Sequence, residues 1–145
     1  MAMYLLVAYQ TAQSPQLLAA SQELSRGDSS AGFVLLVPAT PVGDLLVKEE
    51  GDSVGIARRQ AASARAWLED AGVRMADAKV GTADPLQAIS DEMESGQLYA
   101  AIVISTLPQG LSQWLRLDLV SQVRRRFPNV RVEHVISELA APASK

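Results

Sequence analysis

The sequence predicts a single α/β domain: an open, mainly parallel five-stranded sheet with helices on both faces. Three observations predict it. Short apolar runs recur along the chain, segments with helical periodicity separate them, and Gly, Pro or Ser marks the junctions. Strands separated by helices need crossover connections, which are right-handed and give parallel sheets covered on both sides. At 145 residues the chain fits one hydrophobic core, so residues 1–145 are read as one domain.

The first strand is predicted over residues 4–8, a continuous apolar run of the kind that is buried on both faces. Ser14 and Pro15 then supply an N-cap and a first helical residue. The helix runs over 15–26 with Leu17, Ala20 and Leu24 on one face, and Gly27 is its stop. A second apolar strand, 33–37, ends at Pro38, which has no N–H to give a sheet. Both strands read as central. Residues 39–52 hold Pro41, Gly43 and Gly51, with Asp44, Glu49, Glu50 and Asp52 against Lys48, and read as a long solvated connection. Ser53 is placed to cap a second helix whose small apolar face, Ala57, Ala61, Ala64 and Leu68, predicts close packing on the sheet before a stop at Gly72.

Residues 73–80 mix Arg74, Asp77 and Lys79 with apolar neighbours, so the third strand belongs at a sheet edge. Asp84 and Pro85 open a third helix with Leu86, Ile89 and Met93 inward, and Gly96 closes it. The fourth strand, 100–105, is apolar and central. A loop through Pro108 and Gly110 leads to a short helical turn at 111–115. Asp118 is then expected to cap a longer helix, with Leu119, Val120, Val123 and Phe127 on one side and Arg124, Arg125 and Arg126 largely on the other. The last strand, 130–136, alternates Val130 and Val132 with Arg131 and Glu133 and reads as an edge.

Composition narrows the function classes. The chain has no cysteine and one histidine, His134, which excludes disulfides and cysteine-based metal or nucleophile chemistry. Its first ten residues lack a basic flank, and their apolar run is too short for a signal segment or membrane span, so a soluble cytoplasmic protein is expected. A net charge of -3 carries no footprint for nucleic acid or acidic lipid. The Arg124–Arg126 cluster complements a helix dipole. Ser105 and Thr106 end a central strand, where a nucleophile or ligand contact belongs, but the sequence shows no group to activate them. His134 is expected to lie on an edge strand remote from both. No P-loop, dinucleotide or metal-binding motif is present, so no catalytic residue and no metal is assigned and an enzyme is not expected. Trp67 and Trp114 read as packing residues, Trp114 with part of its ring exposed.

Three segments together resemble the universal stress protein family. They are the opening strand with its Ser/Thr-containing loop and helix, the run Gly81-Thr82-Ala83-Asp84-Pro85-Leu86-Gln87-Ala88-Ile89, and Ala101-Ile102-Val103-Ile104-Ser105-Thr106 followed by Gly110-Leu111-Ser112. The resemblance implies an adenine-nucleotide alpha-hydrolase-like fold with strand order 3-2-1-4-5. The order reverses between the strands ending at Ala8 and Ser105, and ligands of such sheets sit at that reversal. Candidate ligand contacts are therefore Tyr9, Gln10, Ser105, Thr106, Gly110, Ser112 and Asp118.

ATP-binding members of that family carry an Asp after strand one. After strand four they carry a Gly, two residues, Gly, nine residues, Gly and Ser/Thr. Here Tyr9 or Gln10 stands in the first place, and Ile104, Leu107, Leu117 and Asp118 fall on the second pattern. Glycines let a backbone close on phosphates, and branched side chains do not. An Asp118 carboxylate at the N-cap would take the amides a phosphate needs and repel it, by roughly 4 kcal/mol at about 4 Å and an effective dielectric of about 20. Neither ATP nor another cofactor is expected. Pairing of the last strand in a homodimer is implied by the resemblance and by its edge character, with Val130, Val132 and Ile136 at the interface. The sequence thus reads as a non-enzymatic stress-protein-like domain acting through homodimerisation and protein contacts. The alternative is a stress-response module holding a nucleotide or another small ligand in the cleft after strands one and four.

Overall fold

A computed structural model describes residues 2–9, 11–39, 52–108, 114 and 118–137. The elements in chain order are β1 (Met3–Val7), α1 (Pro15–Gly27), β2 (Gly32–Pro38), α2 (Asp52–Asp70), β3 (Met75–Gly81), α3 (Pro85–Met93), β4 (Ala101–Thr106), α4 (Leu119–Arg126) and β5 (Arg131–Ile136). The sheet is parallel throughout, in the order β3-β2-β1-β4-β5. From β1 the chain steps outward through β2 to β3, then crosses back to β4 and β5. Right-handed crossovers place α1 and α2 on one face and α3 and α4 on the other, and α3 packs on α4.

Burial follows position in the sheet. All of β2 and β4, and Leu5, Leu6 and Val7 of β1, are buried, which is why these segments carry unbroken apolar runs. Both edge strands are largely half-buried and correspondingly mixed in composition. Phe33, fully buried, stacks on Tyr4 with ring centroids 5.4 Å apart. Helices α1 and α3 start at their caps. Ser14 Oγ accepts the Leu17 N–H at 3.0 Å ahead of Pro15, and Asp84 Oδ1 accepts the Leu86 N–H at 3.0 Å ahead of Pro85. Ala57, Ala61, Ala64 and Leu68 are buried, as their spacing predicts.

Three expectations need correction. Helix α2 begins at Asp52, so Ser53 lies inside its first turn and not ahead of it. β3 begins at Met75, two residues later than 73, after Gly72 has reversed the chain at φ 94. Trp114 is only 6 % exposed and belongs to the core. Most of the 39–52 connection and of the 111–115 turn lies outside the described residues. Among the described residues no helix is long and apolar enough to cross a membrane.

Gly81 explains how closely α3 approaches the sheet. A Cβ at this position would lie 2.6 Å from Ala88 Cβ and 3.2 Å from Leu36 Cδ1, well inside contact distance.

Candidate functional site

The sheet order brings the carboxyl ends of β1 and β4 side by side, with Val7 opposite Ile104. In doubly wound sheets this reversal is where ligands enter. In this chain hydroxyls gather at this end of the sheet. Ser105 Oγ at the end of β4 lies 2.6 Å from Thr11 Oγ1 and 2.8 Å from Ser137 Oγ. Ser14 Oγ donates to Ser137 Oγ at 2.9 Å while accepting the Leu17 amide. Thr11, Ser14, Ser105 and Ser137 are all at most 2 % exposed. The backbone reinforces the seam, since Ser14 N–H donates to Thr11 O at 3.1 Å and Ser137 N–H to Thr106 O at 2.7 Å.

Four side chains from three segments of the sequence therefore tie the start of α1 to the ends of β4 and β5. Among the described residues no buried side-chain nitrogen or oxygen lacks a partner, so the seam is satisfied without a ligand. Chemically it is neutral. The partners of Ser105 Oγ are two hydroxyls, which give it no base.

Of the sequence-derived candidates, Tyr9, Ser105 and Thr106 are buried at this end of the sheet. Burial raises the Tyr9 phenol above its ordinary pKa. Gln10, Gly110 and Ser112 lie outside the described residues. Asp118 departs from expectation. It precedes α4 in the left-handed region, at φ 59 and ψ 39, and its side chain makes no cap hydrogen bond. Its carboxylate leaves the α4 amides untouched, which removes the cap-based argument against an anion there. Ile104 is fully buried in β4 and Leu107 is half-buried. Leu117 lies outside the described residues.

His134 also departs from expectation. The register sets it opposite Ile104, and its Nε2 lies 2.8 Å from Thr106 Oγ1, so it is not remote from the end of β4. Thr106 spends its one proton on Leu107 O at 2.9 Å. Both bonds coexist only when the imidazole carries its proton on Nε2. Burial, then the Arg124 charge, depress its pKa. Nothing local in the sequence marks Thr11 or Ser137, and the pattern around Ser14 marks it only as a cap. The signal that finds Ser137 is the strand register, which runs to Thr106 opposite Ile136 and leaves Ser137 next in line.

A second polar cluster joins β3, α3 and the approach to β4. Glu92, 6 % exposed, receives Lys79 Nζ on both oxygens at 3.1 Å and the Tyr99 hydroxyl on Oε2 at 2.6 Å. Two hollows flank β3, one of about 330 Å³ over Ala62, Ala66 and Ala78 and one of about 410 Å³ over Leu36, Gly81 and Ala88. Neither is lined by a residue of the hydroxyl seam. Among the described residues no group of three or more His, Cys, Asp or Glu could hold a metal ion.

No family model matches the chain, and no curated protein matches it in sequence. Solved structures do resemble it. A universal stress protein from Archaeoglobus fulgidus superposes with a TM-score of 0.58 at 12 % identity, over 93 % of each chain. A universal stress protein in complex with cAMP gives a TM-score of 0.49 at 16 % identity, over 96 % of this chain and 98 % of that one. With the strand order, the first of these likenesses establishes that the chain has the fold of the universal stress proteins.

Proposed function

We propose that this chain is a cytoplasmic universal-stress-protein-like domain that acts through protein contacts, first with a second copy of itself, and not by binding ATP or by catalysis. One observation carries the reading. At the carboxyl ends of β1 and β4, the end of the sheet where ligands enter in this class of fold, the Thr11, Ser105, Ser137 and Ser14 hydroxyls are bonded to one another. A ligand there would have to break hydrogen bonds that are buried and complete, including the set that caps α1, and each group left unpaired costs about 1–3 kcal/mol. Ile104 and Leu107 stand where the family pattern has glycines, so the backbone there carries branched side chains.

Self-association is supported at β5. This strand closes one side of the sheet, Val130 and Val132 pack partly on the core, and Ile136 is 54 % exposed. An antiparallel partner would cover Ile136 and supply hydrogen bonds to the open side of the strand.

Calorimetric titration with Mg-ATP tests the nucleotide half of the reading. No saturable heat is expected up to millimolar nucleotide. Low-micromolar binding whose heat depends on the phosphates would overturn it.

A further inference from the structure

In a parallel sheet, alternate residues of an edge strand direct both backbone groups at the neighbouring strand, and the residues between direct theirs to the open side. Ser137 N–H donates to Thr106 O, so the odd-numbered residues of β5 face β4. Val132, His134 and Ile136 turn N–H and C=O outward. The outward carbonyl of Val132 is already engaged. Arg124 Nη2, from the last turn of α4, donates to it at 3.2 Å.

We infer that Arg124 is a latch on the β5 edge, and that two copies pair through β5 only as its guanidinium leaves the Val132 carbonyl. The inference rests on the reading that β5 is the pairing edge. Two physical terms make the latch. A charged donor holds an acceptor that a strand ladder needs, and such bonds are stronger than those between neutral groups. Pairing about a two-fold axis also draws together the exposed Arg124, Arg125 and Arg131 of both copies, while Glu133, the acidic residue of β5, is already taken by Arg131.

The opposite edge is closed in another manner. By the same alternation, read from Ala39 N–H donating to Gly81 O, Ala78 turns outward on β3. Its N–H is taken by Asp77 Oδ1, one residue away, at 2.8 Å, and Arg65 Nη1 stands 3.9 Å from that oxygen. A carboxylate bonded to its own strand stays with the strand. Arg124 reaches β5 from another element on an exposed, many-rotamer stem and can swing aside.

Sedimentation equilibrium on the full chain tests the latch, using the parent, Arg124→Ala and Arg125→Ala. Arg125 is exposed on the same turn and makes no hydrogen bond or ion pair among the described residues, so it reports the effect of charge by itself. Arg124→Ala is expected to tighten the dimer at least roughly tenfold, and Arg125→Ala by less than about threefold. If Arg124→Ala unfolds, Arg124→Met keeps the aliphatic stem and removes the donor. Equal tightening by both alanine variants would mean that charge, not the capped carbonyl, governs pairing, and the latch would be wrong. A dimeric parent that Arg124→Ala leaves unchanged would refute the latch and leave the pairing standing. Monomers in all proteins up to near-millimolar concentration would remove the pairing and the latch with it.

Discussion

Two buried polar clusters hold this sheet to its helices, and they work by different physics. At the ends of β4 and β5, Thr11, Ser14, Ser105 and Ser137 share neutral hydrogen bonds. Across the sheet, the Glu92 carboxylate is held by the Lys79 ammonium and the Tyr99 hydroxyl. Burial raises the Tyr99 phenol far above its ordinary pKa, with further contributions from its bond to Glu92 and the Glu92 charge, so it remains a donor. A hydroxyl costs far less to desolvate than an ion, and a hydroxyl chain loses one modest bond at a time. A buried carboxylate is tolerable only while its partners are present, because an unpaired ion is left when one goes.

The largest expected effect follows from that difference. Lys79→Met should lower stability by about 2 kcal/mol in urea unfolding. That is below the 3–5 kcal/mol typical of a fully buried pair, because the Lys79 side chain is 38 % exposed. Lys79→Met with Glu92→Met should recover most of the loss. A double variant as unstable as the single one would show that Glu92 charge is not the cause.

Ser105→Ala comes next. It removes a shared partner from both Thr11 and Ser137 and should cost about 1 kcal/mol, half the Lys79→Met loss. A loss equal to that of Lys79→Met would erase the distinction between the two clusters.

Asp118→Gly lies outside both clusters and serves as a reference for backbone effects. Asp118 sits in a left-handed conformation with no compensating cap bond, so glycine should raise stability by about 0.5–1 kcal/mol, net of its greater freedom in the unfolded chain. Unchanged or lowered stability would mean the Asp118 side chain has a role outside the helix cap.

The smallest expected effect is with pH and belongs to the neutral side. His134 has a folded-state pKa below its unfolded value. The unfolded chain therefore binds the proton first as pH falls. The contribution of His134 is fully present above about pH 6.5 and is lost as pH drops from there toward the depressed folded value. Unfolding of the parent at pH 7.5 and 5.5, beside His134→Gln, measures it. Equal pH slopes in the two proteins would place His134 outside the linkage.

Periodicity made the elements and the central or edge placement of every strand legible in the sequence, because burial on two faces or one leaves a direct trace in residue type. The caps at Ser14 and Asp84 were legible for the same local reason. What escaped depends on register, which local pattern does not encode. Ser14 looks complete as a cap, while its second partner, Ser137, is 123 residues away. His134 appeared remote because only the parallel alignment with β4 sets it near Thr106. Asp118 was ambiguous in kind, since aspartate suits an N-cap and also tolerates the left-handed region. Nothing local in the sequence singles out Glu92, because only the fold brings Lys79 of the β3 edge to it.

The hydroxyl seam bears on how the chain is made. Synthesis delivers Thr11 and Ser14 early, yet the groups that saturate them, Ser105 and Ser137, arrive 94 and 123 residues later. Until β4 has inserted beside β1 and Ser137 has docked, a nascent chain holds these hydroxyls only in water, so the amino-terminal half has no finished interior of its own. Contacts this distant in sequence slow the search for the native arrangement. A chain interrupted before Ser137 therefore leaves the Ser14 hydroxyl without its side-chain partner, even with α1 already capped.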